Sequence, residues 1–193
     1  SERDFVFPPY DANQLRAILS SRADAFRDGV LDEDVIPKVA ALAAKEHGDA
    51  RKAIDILRYT GEIADEHGDD RVRVEYVDEA HEREEEARLA ELIGKQPEHS
   101  KYLLQGLAIQ LQQSTDPDAM IPSKQVYSAY EMVCEREGTD PLKIRRVRDL
   151  LSELAFLSLI EQDRKGRGKG KGAHTVNELV DEPELVVEAC KSA

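Results

Sequence analysis

The amino-acid sequence predicts a mainly α-helical chain in two parts: a helical bundle over residues 1–96, then a winged helix-turn-helix domain with a short β-hairpin wing over 97–193. Three observations carry this. Apolar residues recur at three- and four-residue spacing in one segment after another, each closed by Gly, Pro or Asp-Gly. Gly94 and Pro97 interrupt that rhythm near the middle of the chain. Beyond them, two helical segments meet at a tight Gly-bearing turn and lead into a basic, glycine-laced run between two short alternating stretches. That order of parts is the winged helix.

The first part reads as four helices. Asp11 to about Arg27 follows Pro8-Pro9 and places Leu15, Ile18, Leu19 and Phe26 on one side; Asp28-Gly29 ends it. Asp32 to His47 carries Val35, Ile36, Val39, Leu42 and Ala43, and Gly48 stops it. Asp49 then caps a third helix running to about His67, with Ala50, Ala53, Ile54 and Leu57 as its buried stripe. Arg71 to Val77 alternates and predicts a short extended piece. A mostly charged fourth helix, Asp78 to Ile93, shows a thin apolar line through Ala80, Ala87, Ala90 and Leu92.

In the second part, His99–Gln113 is a helix rich in Leu, and Ser123 is placed to cap the next, which carries Val126, Tyr130 and Val133. Gly138-Thr139-Asp140 is a tight turn, and Pro141 suits the first position of a helix running to about Phe156. Ile144, Val147, Leu151 and Leu154 are its predicted buried side. Short strands are expected at 159–162 and 174–177, and a last helix after Pro183.

Composition narrows the function. The longest apolar stretch, Leu154 to Ile160, has seven residues and is broken by Ser158, far below the roughly 20 that cross a bilayer, so the expectation is a soluble, cytoplasmic protein without membrane partners. Cys134 and Cys190 stand far apart without a His pair, which points away from a metal centre. The net charge is −13, yet it is uneven: residues 1–100 hold 14 basic against 25 acidic residues, whereas Lys143–Lys171 hold nine against four. The general acidity fits either an ordinary acidic protein or one adapted to a salt-rich cytoplasm.

The local basic excess is where DNA contact is expected. With the apolar stripe of the 142–156 helix turned inward, Lys143, Arg145, Arg146, Arg148 and Ser152 lie on or beside its outer face, and its amino-terminal half is the basic half. A recognition helix enters the major groove in that way, and arginine reaches guanine edges or phosphates. A solvated charged face is the alternative. Arg164, Lys165, Arg167, Lys169 and Lys171 alternate with glycines and no acid interrupts them; a wing and a flexible basic linker both fit that run, and the flanking strands favour the wing.

A second cation stands out. Gly48-Asp49-Ala50-Arg51 opens the third helix with an arginine off the buried stripe, in the first turn. Its two readings are an anion-facing residue and an ordinary surface partner of Asp55 at i+4.

The segment Gly48–Arg58 resembles the sensor-two motif in the lid of AAA+ ATPases, most closely that of the archaeal origin-recognition and cell-division-control initiators. Phe7–Leu19 with Arg22, and Arg145–Leu154, resemble further stretches of the same family. The resemblance spans almost the whole chain and implies an AAA+ lid followed by a winged helix that binds double-stranded origin DNA. It implies that Tyr10 and Arg22 line a nucleotide site for ATP or ADP, that Arg51 reaches the γ-phosphate, and that the intact protein recruits the replicative helicase. The sequence departs from the family in one large respect. No Gly-x-x-x-x-Gly-Lys-Ser/Thr occurs, nor a strand ending in paired acids for magnesium. The chain alone is therefore not expected to bind ATP tightly or hydrolyse it, and reads as the lid and winged-helix portion of a longer protein. The other function class considered is a standalone winged-helix transcription regulator with a helical dimerisation or effector domain. A third is an acidic scaffold for basic partners.

Overall fold

The computed structural model describes residues 8–116, 119–166 and 173–192. By their contacts, the residues divide into a first unit, Ser1–Ala87, and a second, Arg88–Ala193.

In the first unit, α1 (Ala12–Ser20) starts at a capping box: Asp11 accepts the N–H groups of Asn13 and Gln14, and the Gln14 side chain accepts that of Asp11. The helix is shorter than the sequence predicts. Ser21 closes it by donating its hydroxyl to the Ile18 carbonyl, and a 3₁₀ turn (Ala23–Ala25) carries the chain on to Phe26. Next come α2 (Val35–Glu46) and α3 (Ala50–Glu66). Gly48 separates them at φ +64, and a Cβ there would lie 2.8 Å from Pro9 Cβ, so only glycine fits the bend. Leu15, Leu19, Val39, Ala43, Ile56, Leu57 and Ile63 form the core. On α3, Ile56 is buried, whereas Ala50 and Ile54 are only half covered. The alternating stretch at 71–77 is not a strand. Val72 alone bridges Leu31, through its N–H to Val30 and its carbonyl to Asp32.

Helix α4 (Tyr76–Gly94) crosses the division between the units. Val77 and Ala80 belong to the first core, Leu89 and Ile93 to the second, and Ala87 is exposed. These positions do not follow one 3.6-residue stripe, which is why the single apolar line expected from the sequence does not form. Lys52 of α3 is held by Glu46 of α2 and lies 3.4 Å from Glu84 and 3.5 Å from Glu85 of α4; His81 meets Glu46 at 2.5 Å.

In the second unit, α5 (Glu98–Gln112) packs on α6 (Ser123–Glu137). Gly106 permits the close approach: a Cβ there would lie 2.9 Å from the Tyr130 backbone nitrogen. Gly138, at φ +70, ends α6 and turns the chain toward α7 (Ile144–Phe156). Three antiparallel strands follow the order β1–β3–β2, with β1 (Ile121–Pro122), β2 (Ile160–Gly166) and β3 (Ala173–Leu179); α8 (Pro183–Ser192) closes the unit. The architecture is the helical bundle and winged helix that the sequence predicts.

Two helix starts differ from expectation. Ser123 is the first residue of α6 rather than its cap; its hydroxyl donates to the Thr175 carbonyl and accepts from the buried Asn177 amide, so it ties the helix to the sheet. Pro141 lies before α7, not in it. The Tyr130 hydroxyl accepts the Leu142 N–H at 2.8 Å and bonds His99 Nδ1 at 2.8 Å, which keeps residues 141–143 outside the helix.

Candidate nucleic-acid interface

The face of α7 is set by burial. Val147, Leu150, Leu151 and Leu154 are within 2 % of full burial, while Ile144, expected inside, is 36 % exposed at the open first turn. Leu150 takes the place of Ile144, and the exposed side retains Lys143, Arg145, Arg146, Arg148 and Ser152. Arg146 meets Glu153 at 3.1 Å, a surface pair of about 0–1 kcal/mol. Lys143, Arg145 and Arg148 have no carboxylate partner among the described residues. The Ser152 hydroxyl donates to the Arg148 carbonyl at 3.1 Å, leaving it an acceptor toward solvent.

The hairpin lies beside this helix. In its register Arg164 faces Thr175 and Lys165 faces His174. Asn177 is fully buried and locks the sheet, donating to the Ile121 carbonyl at 3.0 Å and accepting from Gln162 at 2.8 Å. Arg148 and Ser152 of α7 and Arg164 of β2 line one cleft of about 370 Å³. Helix and wing root thus present a single basic surface. Arg167, Lys169 and Lys171 lie outside the described residues.

Two residues of that cleft were not singled out from the sequence: Lys124, in the first turn of α6, and His174 on β3. Each is isolated in the sequence, and only the sheet register and the α6 start bring them to the arginines.

In the first unit, Arg51 is exposed at the start of α3, where Asp49 accepts its N–H at 2.8 Å. The pair with Asp55 is not made; Asp55 lies 3.6 Å from Arg58 instead, and the Arg51 guanidinium has no ion pair among the described residues. Tyr10, 46 % exposed, donates its N–H to the Gly48 carbonyl at 3.0 Å, so it is tied to the turn three residues before Arg51. Arg22 stands elsewhere, on a cleft of about 460 Å³ floored by Phe26, Ile54 and Leu57. Tyr10 and Arg51 do not line that cleft. No helix among the described residues is long and apolar enough to cross a membrane.

Comparison with known proteins covers both units. Residues 16–82 match the family model of the Cdc6 AAA+ ATPase-type lid domain, and residues 91–189 that of the CDC6 C-terminal winged helix domain. The chain is 46% identical over 186 residues to the ORC1-type DNA replication protein 4 of Halobacterium salinarum, covering 96% of this chain and 45% of that protein. It is 45% identical over 172 residues to the ORC1-type DNA replication protein of Thermococcus onnurineus, covering 88% and 40%. The chain therefore spans less than half the length of these relatives. Among solved structures, the Aeropyrum pernix ORC1 protein in complex with DNA superposes with a TM-score of 0.79 at 38% identity, covering all of this chain and 49% of that one.

Proposed function

The chain belongs to the Cdc6 family, through a lid domain and a winged-helix domain, and on that premise we propose that it binds duplex DNA at replication origins. The observation that carries this reading is the shared cleft of Arg148, Ser152 and Arg164: a recognition helix and a wing root offering cations on one surface. Arg145, with Arg146 and Lys143, enters the major groove and reads base edges; Arg164, Lys165, Arg167, Lys169 and Lys171 hold phosphates from the wing. The likeness to a protein solved in complex with DNA supports this reading, and the paired match of lid and winged helix favours it over a standalone regulator.

The first unit contributes to nucleotide sensing when joined to an AAA+ ATPase base. Arg51 and Arg22 are exposed cations that suit a polyphosphate, and Tyr10 offers an exposed ring. Each of these residue types suits ATP or ADP, although Arg22 stands on a cleft that Tyr10 and Arg51 do not line, and the phosphate loop and the acids for magnesium are absent from this sequence. A bound nucleotide supplies the negative charge that Arg51 registers. The intact initiator, localised to the nucleoid in the cytoplasm, would recruit the replicative helicase.

The test is fluorescence anisotropy on an origin duplex and a random duplex at several salt concentrations. About five phosphate contacts predict a slope of log K against log[salt] of roughly −4 to −5. Arg145→Ala is expected to narrow the gap between the two duplexes, and Lys169→Ala to weaken both alike. Equal effects of both variants on both duplexes would overturn this division of labour, and absence of binding in dilute buffer would overturn the reading.

A further inference from the structure

Away from the DNA face, a second cluster of titratable side chains joins α2, α3 and α4 in the first unit. Glu46 is the last residue of α2, and His81 and Glu85 stand one turn apart on α4. His81 Nε2 lies 2.5 Å from Glu46 Oε1 and 3.9 Å from Glu85 Oε1. These three atoms all fall within 4.8 Å of one another. An ion held at the usual 2.0–2.2 Å from each needs them about 3–3.5 Å apart, so small side-chain rotations suffice with the backbone in place. The donor set is not a plain acidic patch. An imidazole between two carboxylates suits zinc, cobalt or nickel, whereas magnesium and calcium take oxygen ligands.

Charge points the same way. Lys52 of α3 holds Glu46 Oε2 and lies 3.4 Å from Glu84 and 3.5 Å from Glu85. One ammonium thus faces three carboxylates, and with a neutral imidazole the cluster carries a charge of −2. Lys52 balances the buried Glu84, and a divalent cation on Glu46 and Glu85 would restore neutrality. The His81 and Glu46 side chains are 17% and 27% exposed. An ion can therefore enter from solvent and meet donors already partly stripped of water, where its attraction to them is stronger.

We propose that Glu46, His81 and Glu85 form a binding site for one divalent transition-metal ion of the zinc class, with water in the fourth position. Lys52 stays protonated beside it and orients Glu46 through Oε2, as outer partners of metal ligands do. His81 binds through an unprotonated Nε2, so any proton there is released to solvent as the ion is taken up. The ion ties the end of α2 to α4, 35 residues further along the chain, and braces the first unit.

The experiment uses the whole chain without a histidine tag, freed of metal by a chelator. Zinc is titrated by calorimetry, and cobalt(II) by its visible absorption, which reports the coordination of the ion. One ion per chain is expected, with a rise of several degrees in Tm on saturation. His81→Gln and Glu85→Gln should each weaken zinc at least about tenfold and abolish the cobalt band. Glu86→Gln, an exposed position on the same helix outside the cluster, should bind as wild type does. The Glu85 side chain is 43% exposed, so that variant is expected to fold, and circular dichroism checks all three. Absence of zinc and cobalt binding at millimolar ion would overturn the site, as would equal binding by wild type, His81→Gln and Glu85→Gln. A Tm rise with magnesium as large as that with zinc, and unchanged in His81→Gln, would mean only screening of a chain of net charge −13 and would overturn it too. Duplex affinity is not a readout here, so the metal site stands or falls separately from the DNA reading.

Discussion

Replacing Gly106 by alanine tests the packing that places the recognition helix. A Cβ at position 106 would lie 2.9 Å from the Tyr130 nitrogen, 3.2 Å from the Ala129 carbonyl carbon and 3.2 Å from Tyr130 Cα. All three are backbone atoms of α6, so relief requires the two helices to part by about half an ångström rather than a side chain to swing away. Alanine in a helix gains about 1 kcal/mol over glycine, and overpacking against backbone costs about 1–3 kcal/mol. The net expectation is a loss of up to about 2 kcal/mol, or a fall of up to several degrees in Tm for a unit of about 100 residues. The shift also loosens the Tyr130 hydroxyl from Leu142, so DNA affinity should fall with stability. Gly61→Ala is the control: its Cβ would meet the Phe26 ring at 2.6 Å, but that ring borders an open cleft and can move. Thermal and urea unfolding of the two variants decide the matter. A Tm above wild type for Gly106→Ala would refute the close backbone contact.

Tyr130→Phe keeps the ring and removes the hydroxyl that accepts the Leu142 N–H and bonds His99; it should cost about 1–3 kcal/mol in urea unfolding and weaken duplex binding. Lys52→Met strips the cation from three glutamates, one of them 6 % exposed, and should cost about 3 kcal/mol near neutral pH. That loss should depend on pH. Burial raises the Glu46 pKa, but the Lys52 hydrogen bond and charge and His81 outweigh it and hold the group below its ordinary value of 4.5. Its contribution is present above that value and is lost as pH falls through the depressed one. The gap between wild type and Lys52→Met should therefore close on acidification below about pH 4.5, and a gap constant with pH would contradict the network.

Much of the fold was legible because its signals are local. Asp11 with Gln14, the bends at Gly48 and Gly138, and the run of cations from Lys143 to Lys171 act through neighbours a few residues away, so the two-part order and the outer face of α7 could be read directly. The candidate site was legible only in part. Arg145, Arg148 and Arg164 stand in visibly basic stretches, whereas Lys124 and His174 gain meaning only from each other's position, 50 residues apart. The α7 stripe was misplaced at one end because Tyr130 holds Leu142 and delays the helix to Ile144, which leaves that side chain in solvent.

What the chain's own order of residues determined is where helices start and stop and which stretches carry charge, since capping, glycine bends and helical periodicity are short-range effects. Tertiary structure alone decided that α4 gives residues to two cores, that Ser123 binds the sheet instead of capping α6, and that three cations share one cleft. Those outcomes depend on contacts between distant segments, whose geometry is set by packing and strand register rather than by any local preference.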